Sequence, residues 1–183
     1  EESHTRRATF RAMELPELKA ELEQMFIEDQ SIRMALDQAK AESPDSLVRR
    51  SAWAPVEALD AVHTKRVIAI IGEHGVPSVH QVGLTGNKMI FFAFTHAADV
   101  QVISDHVLLL SKSVRKGDSP ACWYAYVIDR LMVKTSKETM FGTTGYTDRI
   151  DGVTYFTPVV SLHVDLLREA MGIPRMSKGR SFY

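Results

Sequence analysis

The chain has 183 residues, 45% of them apolar and 25% charged, with a formal net charge of −1; this balance excludes a disordered or fibrous chain and gives no overall pull toward nucleic acid or an acidic membrane. One core suits this length, and with no linker between two apolar clusters a single domain is expected over 15–174, with an extension at 1–14 and a tail at 175–183. The lone Cys122 cannot close an intrachain disulfide, and no run approaches the ~18 uncharged apolar residues of a membrane span, so a cytoplasmic protein is expected.

The chain reads as mainly α, a bundle of five to six helices with a small C-terminal β-hairpin near 139–157. Leu15-Pro16-Glu17 is a helix entrance, and apolar positions follow at Leu18, Leu22, Met25, Ile32 and Leu36, predicting a helix that ends near Glu42 before Ser43-Pro44-Asp45-Ser46. A second helix is predicted from Val56 through Leu59, Val67, Ile70 and Ile71, stopping at Gly72 and Gly75. Gly83-Leu84-Thr85-Gly86-Asn87-Lys88 reads as a turn and helix cap, since its count and the residue after lysine are wrong for a phosphate loop. From Asn87 to about Ala97 the chain is apolar nearly all round, as in a central buried helix. Further helices are predicted through Val100, Ile103, Val107 and Leu110, from a Ser119 cap with Pro120 at the first helical position through Trp123, Val127 and Leu131, and from Val164 to Met171 before Gly172. The hairpin is expected to turn at Asp151-Gly152, flanked by Met140-Phe141-Gly142-Thr143 and Val153-Thr154-Tyr155-Phe156.

Chemistry is suggested where polar residues occupy apolar stripes. In the series 18, 22, 25, 29, 32, 36 the exception is Asp29, which has Gln30 beside it and Arg33 one turn on. In the series 56, 59, 63, 67, 70 the exception is His63, flanked by Asp60 and Arg66. His96 ends the series Met89, Phe92, His96, and a histidine there can act as acid or base near neutral pH. Asp129 and Arg130 are adjacent on a helix and diverge by about 100°, so one of them faces inward. Asp60, His63, His96 and Asp29 could ligate a metal, but the paired Glu-x-x-His of a di-iron bundle is absent and no metal or cofactor is assigned. Arg49-Arg50 and Arg115-Lys116 read as solvated loop charges, so no nucleic-acid partner is expected.

Glu28-Asp29-Gln30 with Arg33, then Asp60, His63-Thr64, Gly75-x-Pro77, Gly83, His96-Ala97, Asp129-Arg130 and Phe141-Gly142-Thr143, from about Leu18 to Pro174, resemble the bacterial proteins grouped as domain of unknown function 6624. The sequence departs from that pattern with His63 in place of a common Asn, Ala98 of Asp, Phe141 of Tyr and Thr144 of Gln. The resemblance implies no activity, but it extends the residues of interest to Thr143.

The expected function is an enzyme with a polar pocket inside the bundle, acting on a small polar molecule by histidine acid–base chemistry. His96, His63 and Asp29 would be catalytic, and Gln30, Arg33, Asp60, Arg66, Asp129, Arg130 and Thr143 would bind substrate. The alternative is a non-catalytic module for a small molecule or protein, its buried polar residues being structural. Asp29, Arg33, His63 and His96 are expected to share one cavity, because one polar network avoids several separate desolvation costs.

Overall fold

The computed structural model describes residues 14–42, 45, 47, 51–136, 138–147, 154–156 and 158–176. Six helices carry the architecture of the described residues: α1 (Pro16–Glu42), α2 (Ala54–His74), α3 (Val79–His96), α4 (Val100–Arg115), α5 (Ala121–Thr135) and the short α6 (Val164–Ala170).

Each boundary has a local cause. Pro16 opens α1, where its missing N–H costs nothing, and Lys19 N–H bonds back to the Leu15 carbonyl. Helix α2 runs through Gly72 and stops at Gly75, whose φ of 72° is open to glycine and whose N–H closes on the Ile71 carbonyl. Helix α3 begins earlier than the apolar run predicts. Ser78 caps it, the Gln81 side chain accepts the Ser78 N–H at 2.9 Å, and one turn forms before Gly83 breaks the helix at φ 71°. The turn read at Gly83 is therefore a kink within α3. Asp99 caps α4 by accepting the Gln101 N–H at 2.8 Å. Pro120 is the cap of α5 rather than its first residue.

Helix α3 is the centre of the bundle, as its all-round apolar sequence requires, and it packs on α1, α2, α4 and α5. Met89, Ile90, Phe91 and Phe94 are buried there with Leu22 and Met25 of α1, Val67 and Ile70 of α2, Ile103 and Leu110 of α4, and Trp123 and Val127 of α5. Gly86 lets α1 approach closely. A Cβ at that position would stand 3.2 Å from Val82 Cβ and 3.4 Å from Leu22 Cβ. Gly86→Val is therefore expected to lower unfolding free energy by about 1–3 kcal/mol, as overpacking does. An unchanged urea midpoint would show that this contact is slack.

The C-terminal part differs from expectation. Met140 to Thr143 is a loop wrapped around Asp129 rather than a strand. Gly145–Thr147 and Thr154–Phe156 pair antiparallel over three residues each, while the turn expected at Asp151-Gly152 lies outside the described residues, so the fold rests on its helices and not on a hairpin. Most of the expected extension at 1–14 and tail at 175–183 also lies outside them. Among the described residues, no helix is long and apolar enough to cross a membrane.

Candidate functional site

Four helices bring charged side chains to one place. Asp29 sits on the buried stripe of α1, between Met25 and Leu36, because its helical phase allows nothing else. Arg33, one turn later, donates from Nε to Asp29 Oδ1 at 3.1 Å, and its Nη2 lies 3.0 Å from the same oxygen. Gln30 Nε2 donates to Asp29 Oδ2 at 2.7 Å. The Arg33 Nη2 also donates to Asp60 Oδ1 of α2, so one guanidinium ties two carboxylates together. His96, the last residue of α3, brings Nδ1 to 3.1 Å from Asp29 Oδ1 and 3.9 Å from Asp60 Oδ1. That short approach lies out of line for an N–H···O bond, so Nδ1 is a buried nitrogen without an aligned partner among the described residues. From α5, Arg130 donates from Nε to the Thr95 carbonyl at 2.9 Å, next to His96.

The cluster is graded in depth. The Asp29 side chain is 1% exposed, whereas Asp60, His96 and Arg33 are 14%, 15% and 23% exposed. Burial alone would raise the Asp29 carboxyl, but His96 and then Arg33 outweigh it and hold Asp29 ionised well below the usual carboxylate range. Asp60 goes the other way. Burial pushes it up, Arg33 and His96 oppose, and the Asp29 charge adds to burial. Two carboxylates sharing one arginine are thus driven apart in acidity, which is how acid and base roles are separated in functional sites.

Asp29, Asp60 and His96 each offer a ligand atom within 4.8 Å of the others, a set that could hold a metal ion. Arg33 Nη2 already lies against both carboxylates, where such an ion would sit. His63, the fourth ligand of the sequence-based set, turns its Nε2 to Glu28 Oε2 at 3.2 Å instead.

The remaining candidates divide. His63 is buried beside the cluster, near enough for its charge to act on Asp60, but it is bound to Glu28 and not to Asp29 or His96. Arg66 pairs through two nitrogens with Glu21 and has its other charge partner in Glu73, so it stands apart from the cluster. Asp129 and Thr143 are brought to each other. The Asp129 carboxylate, fully buried, accepts the N–H groups of Met140, Phe141 and Thr143 and the Thr143 hydroxyl at 2.7–2.9 Å, which fills its acceptor capacity. Arg168 also holds this loop, donating to the Phe141 carbonyl at 2.6 Å.

Sequence reasoning placed Phe92 in the series that His96 ends but assigned neither it nor Lys88 and Phe26 to the site. Lys88 and Phe92 precede His96 at helical spacing, with Lys88 Nζ 4.7 Å from the Phe92 ring centre and the Phe92 ring edge-on to His96 at 5.7 Å. Phe26 of α1 joins them, 5.9 Å from Phe92. The four-residue spacing of Lys88, Phe92 and His96 was the available signal.

A family model described as a family of unknown function, DUF6624, matches residues 16–180. The chain belongs to this family. No curated protein and no solved structure matches it. Of the residues that carry the DUF6624 resemblance, Gln30, Arg33 and His96 meet the buried Asp29 carboxylate, Asp60 shares Arg33 with it, and Arg130 bonds to the Thr95 carbonyl.

Proposed function

We propose that this protein is an enzyme that moves a proton at His96 on a small polar molecule. The observation that carries the reading is the approach of His96 Nδ1 to the buried Asp29 carboxylate. A carboxylate at one ring nitrogen fixes the ring's orientation and leaves Nε2 on the far side of the ring for the reacting group. Asp29 is a positioning residue in this scheme, itself held by Arg33 and Gln30. Asp60, more exposed and harder to ionise, is placed to exchange a proton or to bind a donor on the substrate. The unaligned Nδ1 contact fits a site that tightens when substrate is bound.

One observation favours a second reading, a non-catalytic module with a structural charge cluster: Asp29 and Asp60 are already matched by a shared arginine. Screening turnover of small esters, amides and phosphomonoesters separates the two. A substrate is expected among these classes, with His96→Ala lowering its turnover on the order of 10²-fold while the melting temperature stays within a few degrees of wild type. No turnover in any class, or turnover indifferent to His96→Ala, would establish the structural reading.

A further inference from the structure

Among the described residues, Arg130 is a cation near the cluster with no carboxylate in direct contact. Its Nε is spent on the Thr95 carbonyl, and no carboxylate among the described residues lies within ion-pair distance. Its environment is costly for a charge. Burial works against its protonation, and so does the nearby Arg33, with Asp60 giving partial relief. The carbonyl at the C-terminal end of α3 stabilises the guanidinium in part, as a helix C-terminus does for any cation, but a point contact through Nε leaves the Nη edge of the planar group unused. Helix α5 holds the segment that bears His96 at two places, since Lys134 Nζ also donates to the Ala98 carbonyl at 3.0 Å. The Arg130 guanidinium is therefore anchored through Nε at the residue that precedes His96.

We propose that Arg130, with Arg33 across the cluster, binds an oxyanion of the substrate, so that the molecule on which His96 acts is a small carboxylate or phosphate. The inference rests on the acid–base reading above and deepens it by naming the substrate class. An oxyanion at the Nη edge would supply the missing counter-charge and lie next to His96, and a planar guanidinium is suited to hold it through two parallel bonds.

The test uses the full chain and two probes, inorganic phosphate and acetate, titrated at constant ionic strength into wild type and into Arg130→Met, Arg130→Lys and His96→Ala. Wild type is expected to bind at least one probe, and the stronger of the two identifies the source of the oxyanion. Arg130→Met should weaken that binding at least tenfold, and Arg130→Lys by less, because charge is kept and only the fork is lost. If the methionine variant fails to fold, the lysine variant with an unchanged melting temperature carries the comparison, and an undiminished affinity there overturns the proposal. Absence of binding of both probes to wild type overturns it as well, as does binding that ignores Arg130. Binding that depends on Arg130 in a protein whose turnover ignores His96 would remove the acid–base reading and leave the oxyanion site standing.

Discussion

Asp29→Ala is expected to cost about 3–5 kcal/mol of folding free energy, the usual result of removing one partner from a buried ion pair. The loss arises because Arg33 Nε, Gln30 Nε2 and His96 Nδ1 all face this one carboxylate, and water reaches it poorly. Arg33 keeps Asp60, which places the effect toward the lower end. The pH dependence follows from the sign of the shift. Asp29 ionises more readily in the folded protein than at its ordinary value of 3.8, so its contribution is complete above about pH 4 and is lost as pH falls below that. Asp60 behaves oppositely, because its folded form holds a proton more tightly, and it opposes folding once ionised. Asp60→Asn should therefore leave stability nearly unchanged or raise it. Urea titrations of both variants from pH 3 to 7 check the pair of expectations, and equal losses from the two substitutions would contradict the assignment of opposite roles.

The second large effect is expected at Asp129. Replacing it with alanine strands three backbone N–H groups and a hydroxyl in a partly buried loop. Each orphaned group costs about 1–3 kcal/mol where water cannot replace the carboxylate, and relaxation of the loop limits the total to roughly 4 kcal/mol. Arg168 still holds the Phe141 carbonyl, so the loop should keep one anchor while its N–H groups are released. Asp129→Asn, which retains one acceptor oxygen, is expected to recover about half of the loss. Limited proteolysis within 140–143 is the direct readout. A variant that resists cleavage as well as wild type does would show that the loop is held by other means.

The helices were legible because their apolar periodicity and their punctuation agree. Pro16, Gly75, Asp99 and Gly172 mark ends by local chemistry alone. The first turn of α3 was not legible, since Val79 to Val82 is too short to show a period and its continuation across Gly83 depends on packing against α1. The site was legible residue by residue but not as a set. Asp29, His63 and His96 each interrupt or end a stripe, which shows that they face inward but not which neighbour they meet. Only tertiary packing puts Asp60 with Arg33 and sends His63 to Glu28. Asp129 and Arg130 show the same limit. Helical divergence separates them, and the fold sends one to the loop and the other to the end of α3.

The docking of α1 against α3 has a kinetic meaning as well. Asp29 and His96 come from the first and the central helix, with all of α2 between them in sequence. Their meeting closes a long loop, which is slow to form relative to contacts within a helical hairpin. A nascent or partly melted chain that has α3, α4 and α5 packed but α1 detached would lack Asp29 and Arg33, and with them the ion pairs that hold Asp60 and His96 together. The charge cluster is thus complete only in molecules in which α1 is docked on α3. Proton exchange at the amides of α1 would report the fraction of molecules in which the site exists.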